Sequence, residues 1–341
     1  MERGKSKTHY VPIIAFGLAL LLITLPACRG TRRSKSSAGS WTKATVLAER
    51  EDHPSKIAAD GEAVYFVTGG TIASQRDGTN NVKRVSLKDG AVTIVVQGGK
   101  QIPAEMLFVD QKHVYWSDGG SIFRVEKTGD ANEKIIANAG QPDEIVMDNE
   151  NFYWLLWAGE GSPPQPIMYA AKKGGEAKPL TPPQPPTSGL CVSGDFVFFM
   201  TGEGLQKIPK RGGEIVTVWR NPLKTPSLGL QQDADNFYFM QMNSSGHAAL
   251  MKLNKQSSEL KQLTGSINHT MEFLVDDRDI YYFDDVPKSG SFGPVALLKI
   301  SKQGGDPTTL DQGTAGWLKH LAVDSEKVYF TDISRVYALA K

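Results

Sequence analysis

The chain has 341 residues, of which 40% are hydrophobic and 22% are charged, and its formal net charge at pH 7 is +1. A chain of this size can bury an ample core without disulfide bonds, so the presence of only two cysteines is no obstacle to folding. The near-neutral charge, with no basic stripe, argues against nucleic acid as a partner.

Residues 1–28 have the pattern of a bacterial export signal. Arg3, Lys5 and Lys7 give a basic start, and residues 11–25 form an uncharged apolar stretch. As a helix, this stretch reaches only about 22 Å, which is shorter than the ~30 Å hydrocarbon core of a bilayer. The pattern therefore favours an export signal over a membrane span.

The signal ends in Leu25-Pro26-Ala27-Cys28, which resembles the lipobox of bacterial lipoproteins. Pro26 departs from the small residues usual there, and an ordinary cleaved signal is the alternative. The resemblance implies a diacylated Cys28 at the mature N-terminus, and two or three acyl chains anchor a protein stably. We therefore expect an exported, lipid-anchored protein of the bacterial cell envelope, periplasmic or on the outer surface. A flexible linker is predicted over residues 29–41 and a folded domain over 42–341.

From residue 60 onward, a turn residue is followed five positions later by an aromatic residue, and this pattern occurs seven times. The pairs are Asp60–Tyr65, Asp110–Tyr115, Asp148–Tyr153, Ser193–Phe198, Asp233–Tyr238, Asp276–Tyr281 and Asp324–Tyr329. The aromatic residues recur every 38 to 50 residues, which is the range of propeller blades. Such a repeat predicts small sheets that must stack on their neighbours.

The second copy shows what one repeat builds. Its apolar runs predict four strands, over residues 107–109, 114–116, 122–126 and 134–136. Asp110 favours the turn between the first two strands. Lys127 opens the last hairpin, and we expect such lysines to keep the rim of the domain solvated.

The second strand and the chain ends predict how the sheets are arranged. Tyr115 is followed by Trp116, and since adjacent residues of a strand point to opposite faces, both faces of the sheet are apolar. The last copy stops at Lys341 after three strands, while residues 42–48 form a lone strand before the first copy. We therefore predict an all-β fold, a seven-bladed β-propeller of four-stranded blades closed by the N-terminal strand joining the last blade.

The sequence has no zinc-protease motif, nucleophile elbow, phosphate loop or paired Cys-x-x-Cys. The acidic residues from Asp276 to Asp285 could suggest calcium, but Asp276 is the turn residue of its repeat. We therefore predict no metal and no cofactor. Cys191 lies in an apolar strand and is expected to be a buried, inert thiol.

Loops between blades, and those joining the second and third strands, share one face of a propeller. Here these loops are unequal, with long insertions over residues 67–81, 155–166 and 284–294. Exposed aromatic and polar side chains in such loops predict a binding face, although the tryptophans could instead pack only their own loops. The candidate ligand-binding residues are Trp157, Arg220, His269, Phe292, Trp317 and His320.

Residues 114–118 (Val-Tyr-Trp-Ser-Asp) and 328–332 (Val-Tyr-Phe-Thr-Asp) resemble the Tyr-Trp-Thr-Asp repeats of low-density-lipoprotein-receptor propellers. The chain departs from that family in having seven units rather than six and in lacking cysteine-rich modules. The resemblance implies a scaffold for protein or glycan ligands.

The leading hypothesis is a non-catalytic, envelope-anchored propeller that binds a protein or an envelope polymer through its loop face. One alternative is a hydrolase or lactonase whose acidic residues converge on the central channel. Another is an envelope assembly factor, which would share the plan of a lipid-anchored propeller.

Overall fold

The computed structural model describes residues 41–69, 81–98, 106–118, 120–129, 131–157, 162–185, 187–268, 272–286, 294–314 and 320–341. Every regular element in these ranges is a β-strand. None of the described residues belongs to a helix long and apolar enough to cross a bilayer. The predicted export signal, Cys28 and the linker up to residue 40 lie outside the described residues.

The strands form seven antiparallel blades of four strands each, which we number 1–7 in chain order, and one short extra strand joins the sheet of blade 2. A single strand, β1 (Thr45–Glu49), precedes blade 1. Blade 1 contains β2 (Ser55–Ala59), β3 (Ala63–Thr68), β4 (Asn81–Ser86) and β5 (Val92–Gln97). Blade 2 contains β6 (Leu107–Val109), β7 (His113–Asp118), β8 (Ser121–Glu126) and β9 (Glu133–Ala137).

Blade 3 contains β10 (Pro142–Met147), β11 (Asn151–Leu156), β12 (Met168–Ala171) and, after β13 (Gly175–Glu176), β14 (Lys178–Pro179). The short β13 instead pairs in parallel with β9 of blade 2. Blade 4 contains β15 (Thr187–Ser193), β16 (Phe196–Thr201), β17 (Gly204–Pro209) and β18 (Val216–Arg220). Blade 5 contains β19 (Ser227–Gln232), β20 (Asn236–Met242), β21 (Ala248–Asn254) and β22 (Leu260–Gln262).

Blade 6 contains β23 (Phe273–Val275), β24 (Asp279–Asp285), β25 (Pro294–Ser301) and β26 (Thr308–Thr314). Blade 7 contains β27 (Leu321–Val323), β28 (Lys327–Thr331) and β29 (Arg335–Ala340), with β1 as its fourth strand. The predicted all-β, seven-bladed propeller is confirmed.

The hydrophobic core is divided among the interfaces between neighbouring blades. Each of the seven buried clusters of described residues joins two adjacent blades. Tyr153 packs towards blade 4, while its neighbour Trp154 packs towards blade 2. Both side chains are fully buried. Consecutive aromatic residues are therefore needed because every blade is covered on both faces.

Blade 7 is completed by the N-terminal segment. β1 runs antiparallel to β29, from Thr45 opposite Ala338 to Glu49 opposite Arg335. This is the pairing that the sequence predicts. The cluster between blades 7 and 1 contains Ala48 of β1, so the N-terminal strand contributes to the core at the closing interface.

A latch of two residues holds the start of the described chain. Trp41 packs between blades 6 and 7, with its ring 4.6 Å from that of Phe330. The carboxylate of Asp311, which is 1% exposed, accepts the backbone N–H groups of Thr42 (3.1 Å), Lys43 (2.9 Å) and Ala44 (2.8 Å). Burial opposes ionisation of Asp311, but these hydrogen bonds and one from the Thr42 hydroxyl outweigh it and lower its pKa.

The repeated aspartates build the turn between the first two strands. Asp110 Oδ1 accepts the N–H groups of Lys112 (2.9 Å) and His113 (2.8 Å), and Oδ2 accepts the Tyr115 hydroxyl at 2.8 Å. The spacing of five residues is thus explained, because the hairpin returns the tyrosine to the turn. The same hydroxyl-to-aspartate bond is made by Tyr153 at 3.5 Å, and by Tyr238, Tyr281 and Tyr329.

A lysine of the next blade completes five of these sites, those of blades 1, 2, 3, 5 and 6, whereas Asp324 of blade 7 has no such ion pair among the described residues. Lys172 of blade 3 pairs with Asp110 of blade 2 at 3.1 Å, and we call this Asp–Tyr–Lys arrangement a clamp. The corresponding ion pairs are Lys127–Asp60, Lys210–Asp148, Lys302–Asp233 and Lys341–Asp276. These lysine side chains are only 13–24% exposed. The expectation that they merely solvate the rim is therefore wrong, because each one joins two blades.

Blade 4 has no clamp, and its sequence already indicates this. Ser193 and Phe198 lack the carboxylate and the hydroxyl of the clamp. Lys255 of blade 5 donates instead to Gln232 Oε1 at 2.8 Å, with its Nζ 4.8 Å from the ring centre of Phe237. The junction of blades 4 and 5 therefore has no aspartate–lysine pair and is joined by packing and by the hydrogen bond that Gln232 Nε2 donates to the Val192 carbonyl at 2.6 Å.

We expect the clamps to make the protein sensitive to acid. The pKa of each clamp aspartate is lowered in the folded state, because hydrogen bonds and lysines outweigh burial. This stabilisation is present above the unfolded carboxyl pKa of about 3.9 and is lost as the pH falls through the lower folded pKa values. Urea unfolding followed at decreasing pH should show the free energy of unfolding dropping below about pH 4.

A single substitution tests the same point. Asp110→Asn should lower the free energy of unfolding at pH 7 by about 1–2 kcal/mol and reduce the acid-dependent loss. Asp195→Asn is the matched control, since Asp195 is exposed in the turn of blade 4, which has no clamp. Equal effects of the two substitutions would contradict the clamp.

The latch generates a second prediction. A Cβ at Gly313 would lie 2.8 Å from the Trp41 ring, whereas a Cβ at Gly265 would meet nothing within 4 Å. Gly313→Ala should therefore cost about 1–3 kcal/mol by displacing Trp41, and Gly265→Ala should change stability by less than about 0.5 kcal/mol. Urea unfolding measures both, and an unaltered Gly313→Ala protein would show that Trp41 does not hold the closure.

Candidate functional site

The antiparallel blades give the domain two different ends. Loops joining the second and third strands leave at the same end as the connections between blades, and we call this end the loop face. The other end, the turn face, carries the aspartate turns and the lysine hairpins. Depressions on the turn face are lined by clamp residues such as Asp148 with Lys210 and Asp276 with Lys341. These depressions are polar because they are lined by the ion pairs of the clamps, which stabilise the fold.

Three of the predicted binding residues are described, and all belong to the loop face. Trp157 follows β11 and is 58% exposed. Arg220 is exposed at the end of β18. His320 precedes β27, and its Nδ1 lies 3.0 Å from Glu272 Oε2. They belong to blades 3, 4 and 7, so the structure does not gather them into one cluster.

The other predicted binding residues, His269, Phe292 and Trp317, lie outside the described residues. The insertion at residues 67–81 is also described only at its two ends. Those parts of the site stay predictions.

Exposed apolar side chains distinguish the two ends. Among the described residues, the exposed large hydrophobic side chains in loops are Trp157 (58%), Leu223 (63%) and Ile333 (40%), and all three lie on the loop face. The remainder lie on outermost strands of blades 1, 4 and 7, namely Val46, Val92, Ile94 and Val216. The loop face therefore carries an apolar surface that the turn face lacks within the described chain.

Leu223 and Ile333 were missed by sequence reasoning. Leu223 is held outward by Asn221, whose side chain accepts the Leu223 N–H at 3.0 Å and donates to the Thr225 carbonyl at 2.8 Å. The position of Leu223, an apolar residue between Asn221-Pro222 and Pro226, is the sequence signal that could have indicated its exposure. Ile333 sits in the tight turn between β28 and β29, where it resembles an ordinary strand residue in sequence.

A ring of residues surrounds the mouth of the central channel on the loop face. They lie nine positions before the repeated aromatic residue, near the start of each innermost strand. The ring consists of Lys56, Met106, Glu144, Gly189, Gly229, Glu272 and His320. The strand register shifts around this position in blades 1, 3, 4 and 5. Such bulges change the direction of a side chain relative to the sheet.

Two ring carboxylates tie neighbouring blades together. Glu144 accepts the N–H groups of Gly189 (2.9 Å) and Leu190 (2.8 Å) of blade 4. Glu272 accepts the Leu321 N–H of blade 7 at 3.0 Å and contacts His320. Sequence reasoning placed no residue of this ring except His320 in a site, because the bulge is a feature of strand pairing.

Glu144 differs from an ordinary surface carboxylate. Burial raises its pKa to about 7, against the opposing effect of the two backbone hydrogen bonds, and the charge of Lys56 acts in the same opposing direction. Lys56 belongs to blade 1 and Glu144 to blade 3.

The structure also describes the acidic residues considered for metal binding and Cys191. No group of His, Cys, Asp or Glu in the described ranges could hold a metal ion. Asp276 belongs to a clamp, and Asp284 accepts the Asn268 N–H at 2.8 Å. Cys191 is buried, and burial raises its pKa to about 12, as expected for an inert thiol.

No protein-family model and no curated protein matches the chain. Solved structures do resemble it. An oligogalacturonate lyase in complex with manganese has a TM-score of 0.61 at 12% identity, over 89% of this chain and 96% of that chain. The extracellular domain of a hybrid two-component system from B. thetaiotaomicron has a TM-score of 0.60 at 9% identity, over 87% and 39%.

The nidogen/laminin complex has a TM-score of 0.44 at 16% identity, over 62% of this chain and 78% of that chain, which is too distant to carry an argument. The resemblance to receptor propellers therefore stays a prediction from the two repeat copies. At these identities, the likenesses show the fold alone. The chain is similar to propellers of diverse proteins, and its ligand has to be argued from its own loop face and channel.

Proposed function

We propose that the protein is a non-catalytic, envelope-anchored β-propeller that binds a protein or an envelope polymer on its loop face. The observation that carries this proposal is the exposure of Trp157, Leu223 and Ile333 on that face alone among the described loops. Exposed aromatic and aliphatic side chains in loops on a rigid scaffold are typical anchors of binding surfaces.

The distribution of charge supports the same face. The turn face uses its aspartates and lysines in clamps, so these groups are already neutralised by one another. On the loop face, Arg220 is exposed beside the inter-blade loop of Leu223. An apolar anchor with a polar rim is the usual composition of a binding surface.

The anchor would hold the domain close to a membrane. Acylation of Cys28 would place the lipid at one end of the linker, and the latch at Trp41 and Asp311 holds the other end. Twelve residues, 29–40, extend at most about 40 Å, so the domain would stay within that distance of the bilayer. A ligand within the envelope itself fits this restricted reach.

A channel-facing hydrolase is the second candidate, and one observation favours it. Glu144 has a pKa of about 7, which suits a general acid or base at neutral pH. However, both of its carboxyl oxygens accept backbone N–H groups. This arrangement favours a structural carboxylate, so the binding function is the better supported of the two.

The loop face can be tested by site-specific photo-crosslinking in the native envelope. A photoreactive amino acid at Glu203, which lies on the loop face of blade 4, should yield an adduct, whereas the same probe at Lys112 on the turn face should not. Trp157→Ala should reduce the adduct by about tenfold or more, as expected for a binding anchor. Its stability to urea should be unchanged, because the indole is exposed.

Two results would contradict this assignment. One is an adduct of equal yield from Lys112, and the other is an adduct from Glu203 that Trp157→Ala leaves intact.

The anchor has its own test. Labelled palmitate should be incorporated into the full-length protein and lost in Cys28→Ala, with that variant released from the membrane fraction. Cys191→Ala is the matched control and should keep the label, because Cys191 is buried in the blade core. Incorporation that survives Cys28→Ala would refute lipidation at this cysteine.

A further inference from the structure

The loop between blades 4 and 5 presents the most exposed of the large apolar side chains in the described chain. Leu223 is 63% exposed, above Trp157 at 58%. Pro222 and Lys224 on either side of it are exposed as well. Lys224 has a φ of +53°, in the left-handed region that residues other than glycine rarely adopt. A strained residue at the tip of an exposed loop persists only where the surrounding structure holds it, and it points to a function for that tip.

Buried amide side chains hold this loop from the domain side. Asn221 is 4% exposed and bonds both to the Leu223 N–H and to the Thr225 carbonyl. Gln241 of blade 5 is 6% exposed, and its Nε2 donates to the Thr225 hydroxyl at 2.6 Å. Its Oε1 accepts the Ser227 hydroxyl at 3.1 Å. Because the backbone is fixed on both sides of the tip, the leucine is preorganised for contact with another surface.

The charges around Leu223 are mostly positive. Arg220 and Lys224 are exposed, and neither forms an ion pair with a described residue. Residues 215–232 contain no aspartate or glutamate. Glu203 lies in the adjoining turn of blade 4, so two cations accompany one carboxylate. An apolar tip between cations complements an anionic bilayer surface, because the leucine can enter the interface while the two long side chains reach lipid phosphates.

The N-terminal end of the domain lies at the same face as Leu223. The ring of Trp41, the first described residue, is 4.6 Å from that of Phe330 and lies against Gly313. Phe330 and Gly313 are the next-to-last residues of β28 and β26, and both strands run towards the loop face. The linker therefore joins the domain near the loop face. An acyl group on Cys28 would hold this face, rather than the turn face, close to the bilayer.

We propose that the Leu223 loop docks onto an anionic lipid bilayer, with Leu223 in the interface and Arg220 and Lys224 on lipid phosphates. One leucine and two cations bind a membrane only weakly, and the anchor makes this contact sufficient because it keeps the loop near the lipid. The proposal rests on the anchor of the proposed function and deepens that function, since a ligand at Trp157 would then be held at the bilayer surface.

The test uses the full-length protein in vesicles of phosphatidylethanolamine and phosphatidylglycerol, which contain no other protein. A nitroxide is attached to Leu223→Cys or, as the control on the turn face, to Lys112→Cys. Cys28 is blocked by its acyl group, and Cys191 is buried. Electron paramagnetic resonance should show the label at position 223 colliding more with oxygen dissolved in the lipid than with a water-soluble nickel chelate. At position 112 the nickel chelate should dominate.

Reversal of the two charges tests the contact with lipid phosphates. Arg220→Glu combined with Lys224→Glu should raise the nickel accessibility of the label at position 223 by about tenfold or more, because attraction to the anionic surface becomes repulsion. Lys88→Glu is the matched control, since Lys88 is exposed in a turn-face hairpin, and it should leave the label unchanged. Neither set of substitutions should alter the stability to urea, because the side chains are exposed.

Each contrary result has a distinct meaning. Protein that floats with the vesicles but has labels equally open to nickel at positions 223 and 112 overturns the docking and leaves the anchor intact. A label at position 223 that ignores the charge reversal also overturns the proposal. Protein that does not float refutes the anchor and this proposal together. The ligand of the proposed function is judged separately, by the adduct from Glu203 in the native envelope.

Discussion

The sheets of this protein are apolar on both faces, and the rest of the structure depends on this constraint. Tyr153 and Trp154 are neighbours in one strand, yet they belong to cores on opposite sides of blade 3. A blade with two apolar faces needs two neighbours, so a row of blades is satisfied only when it closes on itself. Closure here requires β1, because blade 7 has only three strands from the C-terminal end of the chain.

Electrostatics adds a second, more local set of connections. Each clamp places a lysine of one blade on an aspartate of the preceding blade, and the aspartate has already been positioned by its own turn. The carboxylate is therefore preorganised before the lysine arrives, which makes the pair more effective than a mobile surface ion pair. Clamps, latch and closure all serve stability, and the clamps occupy the turn face.

The loop face is consequently the part of the domain that remains available for binding. Its connections between blades and its loops joining the second and third strands differ from blade to blade, whereas the turn-face hairpins repeat. The residues at the channel mouth also vary, since equivalent ring positions hold Lys56, Glu144 or Gly189 in different blades.

The sequence alone determined the number of blades, their four-strand plan and the need for N-terminal closure, because period, paired aromatic residues and chain ends are local patterns. It also identified the face on which Trp157, Arg220 and His320 lie. Only the tertiary structure decided that the hairpin lysines are clamp partners, that Asp311 and Trp41 form a latch, and that Lys56, Glu144, Glu272 and His320 share a ring. These contacts join residues of different blades, and their geometry comes from sheet stacking and strand bulges, so no single repeat of the sequence shows which residues meet.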